Sequence, residues 1–257
     1  MKIWAIVINT FREAIRNKIL YSIGLFVVLL LGASAFFGTV TLGDRNQVIK
    51  DCGLFCLSFF GAIITIITGV SLLNKELKQK TIYNILSKPV ARWEFIVGKH
   101  LGLTLTVSLL VSFMGVGLFV FAAILERRPD WLLFQGILFS IFEVSVLAAV
   151  VMFFSSMAVT TTLPGLFTLA TYIAGHSIEY LRYFVAQDAN ASKTTEALVR
   201  IFSWLLPDLG VFNVNEVVVY GASMSPAQTG YAFLYCLGYS AAALVLATVI
   251  FSRRELN

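Results

Sequence analysis

The sequence predicts an all-α, polytopic membrane protein with six transmembrane helices in a single domain, residues 1–257. Of the 257 residues, 58% are hydrophobic and only 13% are charged, whereas soluble domains carry about 25% charged residues. The mean hydropathy is +0.86. Several runs also contain no charged residue over the roughly 20 positions that a helix needs to cross the hydrocarbon core. Lipid is therefore the expected solvent for most of the chain.

The first element, residues 1–18, is a predicted amphipathic helix. Apolar side chains recur every three or four residues on one side, and polar side chains occupy the other. The apolar set is Trp4, Val7, Ile8, Phe11, Ile15 and Ile19, and the polar set is Asn9, Arg12, Glu13, Arg16 and Asn17. Such a helix suits the membrane interface, where one face contacts lipid tails and the other contacts headgroups. The alternative is a simple extension of the first span.

Three spans follow directly from uncharged runs. These runs are Ile19–Gly43, Cys52–Asn74 and Leu101–Leu125. The first run starts late and is longer than the apolar core of a signal peptide, so we expect an uncleaved anchor rather than a cleaved leader.

The fourth, fifth and sixth spans require a turn to be placed. The apolar stretch that begins at Trp131 is too long for one crossing. We expect it to turn within Ser155–Gly165, because Pro164 disfavours a helix interior and the hydroxyl-rich run before it favours caps and turns. The sixth span begins near Pro226, a residue suited to the first helical position, and runs to Phe251.

The distribution of basic residues predicts the orientation. Six spans place both termini on one side of the membrane. The segments on that side hold twelve of the Lys and Arg residues, and the segments on the other side hold seven. Because basic residues concentrate in the cytoplasm, both termini should be cytoplasmic. The net charge of +5 is therefore a topology signal, and nucleic-acid binding is not expected.

The longest non-spanning segment, residues 185–224, lies on the outer side in this topology. It contains a predicted short helix that stops at Pro207. Its apolar residues at helical spacing are Leu198, Ile201, Phe202 and Leu205. The helix is too short to cross the bilayer, so we expect it at the outer surface or partly within the membrane.

The predicted cytoplasmic segment between the second and third spans, residues 74–99, has internal order. Glu76 and Lys80 are four residues apart in the order that favours an intrahelical ion pair. An apolar face follows at Ile82, Ile85 and Leu86, and Pro89 ends or kinks the helix. A loop that only sets topology needs Lys and Arg but none of this order. The pattern favours a docking surface for another protein.

A second helix is expected to restart near Arg92. Glu94 is placed to accept a hydrogen bond from a free backbone N–H at that restart, which is half of a capping box. Ala91 occupies the position of the other half and has no side-chain acceptor. Trp93 and Phe95 suit the membrane interface before the third span.

This loop resembles that of the type-2 ABC exporter permeases, membrane subunits driven by a separate ATP-hydrolysing subunit. The family pattern is matched in order and spacing by Glu76, Lys80-Thr81, Ser87-Lys88-Pro89-Val90-Ala91-Arg92 and Gly98-Lys99. Further similarity lies at Leu206–Asn213 and at the basic end, Phe251–Leu256. Lys80 stands where the family has glycine and Ala91 where it has a capping serine. Among these permeases, the outer loop is most similar to those of the nitrous-oxide-reductase-maturation type.

The resemblance implies a coupling helix that contacts the ATPase, in a chain of a bacterial inner membrane. The implied coupling residues are Glu76, Lys80, Thr81, Ile82, Ile85, Leu86, Pro89, Arg92 and Glu94. The implied partners are an ABC ATPase subunit, which would hold the ATP and Mg, a second permease copy, membrane lipid and a periplasmic companion. No cofactor belongs to this chain itself. The short outer helix, with Leu198, Ile201, Phe202 and Leu205, is expected to contribute to an external gate.

Polar residues within the spans are candidates for a second site. Glu143 lies near the middle of the fourth span, where an acid costs about 2.5–3.5 kcal/mol to insert. Counting from Pro164 places Tyr172 at the same level on the fifth span and His176 one turn further out. A hydrogen bond from Glu143 to Tyr172 or His176 is therefore expected. It either braces the two spans or forms a proton-linked or substrate-contacting site.

Other chemistry has little support in the sequence. Cys52 and Cys56 are badly placed for a disulfide and lack partners for a metal, and His100 is far from His176. No G-x-x-x-x-G-K-[ST] loop is present, so the chain should not hydrolyse ATP and is not expected to be an enzyme. Gly98-x-x-x-Gly102 has the spacing of helix contacts, but this spacing is common. The remaining rivals are an ion-coupled secondary transporter that uses Glu143 and His176, and a membrane scaffold or enzyme.

Overall fold

The computed structural model describes residues 2–15, 45–78, 91–157, 160, 162–187 and 193–253, together with Gly24 and Gly32. All regular elements in these ranges are helical. They are α1 (Lys2–Ile15), α2 (Arg45–Lys78), α3 (Arg92–Glu126), α4 (Leu133–Met157), α5 (Thr162–Gln187), α6 (Lys193–Leu205), a 3₁₀ turn (Leu209–Phe212), α7 (Asn215–Val219) and α8 (Pro226–Arg253).

Four of the described helices are long and apolar enough to cross a membrane. They are α2 over Asn46–Leu72, α3, α4 and α8, which correspond to the predicted second, third, fourth and sixth spans. The predicted first span lies outside the described residues. The predicted fifth span is the 26-residue helix α5, which is long enough to cross a membrane but is less apolar than these four helices. The all-helical membrane fold is confirmed, and the number six stays a prediction.

Helix α4 is the central helix of the bundle. It contacts α2, α3, α5 and α8. Four consecutive residues, Val146 to Ala149, are each fully buried, so every face of the helix is covered by protein at this level. A helix that is apolar all round is expected in such a position.

The bundle has two ends, which we name by the helices that lie there. At the α1 end are α1, the last turns of α2, α4 and α8, and the first turns of α3 and α5. At the α6 end are α6, α7, the 3₁₀ turn and the opposite ends of the same long helices. Lys50 Nζ, in the first turns of α2, lies 2.6 Å from both Glu126 Oε1 and Asp130 Oδ2. This ion cluster ties α2 to the α3–α4 connection at the α6 end.

The expected turn between the fourth and fifth spans is present but shorter than Ser155–Gly165. Helix α4 continues to Met157, and α5 begins at Thr162. Pro164 therefore lies in the first turn of α5, where the backbone N–H groups have no intrahelical partner and a proline costs nothing.

Candidate functional site

Most of the residues assigned to coupling by resemblance lie in a gap of the described chain, and the others flank it. Lys80, Thr81, Ile82, Ile85, Leu86 and Pro89 lie outside the described residues. Glu76 belongs to the last turn of α2, but its side chain is not described. Arg92 and Glu94 are described and form the first turn of α3. The site can therefore be built from the point where the loop rejoins the bundle.

Helix α3 begins where the sequence predicts, at Arg92. Ala91 has an extended backbone conformation, and its N–H donates to Glu94 Oε2 at 2.9 Å. The alanine offers no acceptor in return, so only half of a capping box is formed. The Arg92 guanidinium donates to two main-chain carbonyls in the last turn of α8. The loop thus joins the bundle at a capped helix start that also contacts the last helix.

Helix α1 crosses α3 at Gly98 and Gly102. A Cβ atom at Gly98 would lie 2.9 Å from the Ile6 Cβ, and one at Gly102 would lie 2.6 Å from the Thr10 Cβ. Any side chain at either position would force the helices apart. The expectation that Gly98-x-x-x-Gly102 is a chance spacing is therefore wrong, because these small residues allow two backbones to approach closely.

The face of α1 that contacts α3 overlaps the predicted apolar stripe only in part. Thr10 and Ala14 are buried, whereas Trp4 is 63% exposed. Glu13, predicted on the polar side, places Oε2 3.7 Å from the Nζ of the buried Lys99. Val7 of the predicted stripe is also buried, at 3% exposure, and its carbonyl oxygen lies against Gly102. The glycines of α3 therefore accept one edge of the stripe together with the neighbouring face that holds Thr10 and Ala14.

The intramembrane polar residues form a cluster across three helices. Glu143 of α4 is only 2% exposed. Its Oε1 lies 2.8 Å from His176 Nε2 of α5, and its Oε2 accepts a hydrogen bond from Ser58 Oγ of α2 at 2.8 Å. The expected contact between Glu143 and His176 is therefore present. Both carboxylate oxygens have a partner.

Tyr172 joins this cluster through a different partner from the one expected. Its hydroxyl lies 3.4 Å from Ser58 Oγ, and its ring meets the His176 ring edge to face at 4.8 Å. Sequence reasoning missed Ser58, because a single serine in a span needs no partner and carries no signal. His176 is partly accessible, with 26% of its side chain exposed.

The short helix predicted before Pro207 is present as α6, but its apolar face is not packed on the described part of the chain. Leu198, Ile201, Phe202 and Leu205 are between 49% and 70% exposed. The helix is tied to its neighbours through its polar side instead. Arg182 of α5 donates to Ser203 Oγ at 3.1 Å and to Asp208 Oδ2 at 2.7 Å.

The segment that follows α6 enters the bundle. Leu209, Phe212, Val214 and Val218 are each at most 3% exposed. A Cβ atom at Gly175 of α5 would lie 2.7 Å from the Pro207 carbonyl oxygen, and Gly175 is about 20 Å from the start of α5 at 1.5 Å per residue. Residues 206–219, which we call the buried segment, thus fill the α6 end of the bundle. Sequence reasoning missed it, although Leu206, Leu209 and Phe212 recur at a spacing of three.

An apolar groove of about 550 Å³ runs between α2 and α5 near the α1 end. Its walls include Ile66 and Val70 of α2 and Gly165 and Leu169 of α5. Such a lining suits hydrocarbon or another helix rather than a polar solute. Within the described residues, no group of three or more His, Cys, Asp or Glu is placed to hold a metal ion.

Comparison with known proteins agrees with this architecture. A protein-family model described as "ABC-2 family transporter protein" matches residues 4–256, nearly the whole chain. No curated protein matches the chain. The match covers nearly the whole chain, and the described bundle is all-helical with several apolar helices. The chain therefore belongs to the ABC-2 transporter family and is a membrane permease of an ABC transporter.

Proposed function

We propose that this chain is the permease subunit of an ATP-driven exporter in a bacterial inner membrane. It forms a translocation path with a second permease copy, and a separate ABC ATPase drives it through residues 74–99. The single observation that carries the coupling role is the start of α3, where Glu94 caps the helix and Arg92 contacts the end of α8. A loop that transmits force needs such a rigid attachment.

The proposed topology has six spans, with the α1 end in the cytoplasm. Helix α1 then acts as an interfacial elbow, its exposed Trp4 side facing lipid, and both termini are cytoplasmic. The α6 end faces the periplasm, where α6 and the buried segment close the path as an external gate. A periplasmic companion, as the similarity to the nitrous-oxide-reductase-maturation permeases implies, would dock on this side.

The polar cluster supports a bracing role in this mechanism rather than ion coupling. An acid within the membrane must be compensated, and Glu143 has a partner on each oxygen, from α2 and from α5. The rival secondary transporter requires an acid that exchanges its partners during transport. We therefore assign Glu143, Ser58, Tyr172 and His176 to holding α2, α4 and α5 together.

The test is capture of the ATPase by the full-length permease. The permease carries an affinity tag and is co-expressed with the ABC ATPase encoded closest to its gene, and the complex is purified in mild detergent. We expect the wild type to retain the ATPase and Glu76→Lys to lose most of it. The substitution replaces a negative charge with a positive one, so the new side chain should repel the group of the ATPase that Glu76 contacts.

The matched control is Asp51→Lys, an exposed acid on the same helix α2 but at its other end. It should retain the ATPase. A wild-type permease that captures none would overturn the proposed function. Equal capture by Glu76→Lys and Asp51→Lys would overturn the assignment of residues 74–99 as the docking surface.

A further inference from the structure

The C-terminal end of α8 is capped by a residue from another helix. The last carbonyl groups of any helix lack intrahelical partners. Here Arg92 Nη1 donates to the Phe251 carbonyl at 3.0 Å and to the Ser252 carbonyl at 2.7 Å. Arg92 is 159 residues before Phe251 in the chain and is the first residue of α3. The last turn of one helix is therefore completed by the first residue of another.

Apolar packing reinforces this polar contact. The rings of Phe95 and Phe251 stack with centroids 6.1 Å apart and planes 19° apart. Together with Ile96 and Ala247 they form a small buried cluster distinct from the main core. The contact between α3 and α8 thus spans more than one helical turn on each side, and the two ends cannot slide past one another without breaking it.

Helix α1 is attached to the adjoining turns of α3. Gly98 and Gly102 lie against Ile6 and Thr10, and Lys99, 1% exposed, has its Nζ 5.9 Å from the centre of the Phe95 ring. The first three turns of α3 therefore hold α1 on one side and the end of α8 on the other. We call this arrangement of residues 92–102 with its two neighbours the α1–α3–α8 junction.

We propose that Arg92 is a positioning residue that makes the end of α8 move together with the loop that precedes α3. This proposal rests on the proposed function, in which the ATPase displaces that loop. The loop connects α2 to α3, so a displacement entering α3 reaches Arg92 first and passes to α8 through the two carbonyl contacts. Arginine suits this role because its Nη1 bears two hydrogens and can donate to both carbonyls. The positive charge of the guanidinium is also attracted to the negative end of the α8 helix dipole.

The test measures the distance between α3 and α8 at both ends of the bundle. Cys52, Cys56 and Cys236 are first replaced by alanine. Spin labels are attached at the exposed positions Leu101 and Val249 for the junction, and at Val120 and Leu234 for the opposite end. Pulsed electron paramagnetic resonance is recorded on the permease–ATPase complex in lipid nanodiscs, without nucleotide and with ATP plus vanadate.

We expect the junction pair to give one narrow distance in both states of the wild type. In Arg92→Gln the distribution should broaden or shift with ATP plus vanadate, while the opposite pair keeps its wild-type response. Stimulation of ATP hydrolysis by the permease should fall by about fivefold or more, as expected when a charge-assisted hydrogen bond is lost. Arg92→Lys keeps the positive charge and a hydrogen-bond donor. It should restore part of the narrow junction distance and part of the stimulation of ATP hydrolysis.

Arg12→Gln is the matched control, because Arg12 is an exposed cation of α1 at the same end; it should change neither signal. A narrow junction distance in Arg92→Gln together with full stimulation would overturn the proposal. So would equal losses in Arg92→Gln and Arg92→Lys, since these indicate a general folding role. If the wild type captures no ATPase, the proposed function fails, which is a separate result.

Discussion

Glu143 shows how one residue in a span constrains its neighbours. An acid in hydrocarbon must find polar partners, so its presence in the sequence predicts a contact on an adjacent span at the same level. Helix rise placed Tyr172 at the level of Glu143 and His176 one turn further out, and the structure places His176 2.8 Å from Glu143. Ser58, which binds the other oxygen, was not predictable, because a serine can satisfy itself by bonding to its own helix.

Two substitutions at Glu143 test whether the cluster is a brace. Glu143→Gln keeps a hydrogen-bond acceptor at the same position, so its thermal unfolding midpoint in detergent should stay near that of the wild type. Glu143→Leu leaves Ser58 and His176 without that acceptor, at a cost of about 1–3 kcal/mol, and should lower the midpoint. If Glu143→Gln keeps its stability but abolishes transport, the charge itself is required, which would favour the ion-coupled alternative.

Helix α3 shows why a span can be predicted while its contacts cannot. One stripe of the helix is buried and the opposite stripe faces outward, yet both are apolar. The buried stripe includes Leu103, Val107, Val111 and Leu118, and the exposed stripe includes Leu105, Leu109, Phe113 and Val120. Lipid and protein interiors favour the same side chains, so no amphipathic pattern marks the contact face. Hydropathy therefore predicts that α3 exists, and Glu94 predicts where it begins. Neither predicts which helices α3 contacts.

The crossing of α1 and α3 is the contact of α3 most open to a direct test. Gly102→Ala places a methyl group 2.6 Å from the Thr10 Cβ and 3.0 Å from the Val7 carbonyl oxygen. Overpacking of this kind costs about 1–3 kcal/mol, so the unfolding midpoint should fall.

The matched control is Gly117→Ala on the same helix, where a Cβ would meet nothing within 4 Å. It should be neutral or stabilising, since alanine favours a helix over glycine by about 1 kcal/mol. If the two variants unfold at the same temperature, α1 does not pack closely on α3 at this point.

For the whole molecule, the sequence predicts connectivity better than architecture. Span lengths, the turn before α5 and the short helix α6 all follow from local hydropathy and helix-breaking residues. The position of the buried segment does not follow from these local signals, because Leu209 and Phe212 lie close to Pro207 and Asp208 in a stretch that resembles an ordinary loop. Its burial depends on a space between α4 and α5 that only the assembled bundle creates. The two ends of the molecule consequently differ: the α1 end is a junction of helix termini, and the α6 end is filled by the chain itself.

The proposed orientation of these two ends is testable by labelling intact cells. In a variant without Cys52, Cys56 and Cys236, single cysteines are placed at exposed positions. Arg128→Cys and Ser223→Cys report on the α6 end, and Ala91→Cys and Ser252→Cys report on the α1 end. A membrane-impermeant maleimide should label the first pair from outside, and the second pair only after the cells are opened. The opposite pattern would reverse the proposed topology and place the loop before α3 outside the cell.

The contact between Arg92 and α8 also has a consequence for biosynthesis. The carbonyl groups of Phe251 and Ser252 emerge from the ribosome more than 150 residues after Arg92. Until translation has passed Ser252, the guanidinium lacks these acceptors, and the beginning of α3 lacks its contact with the last turn of α8. Membrane quality-control proteases would then meet a nascent permease in which the first residue of α3 is not yet joined to the last turn of α8.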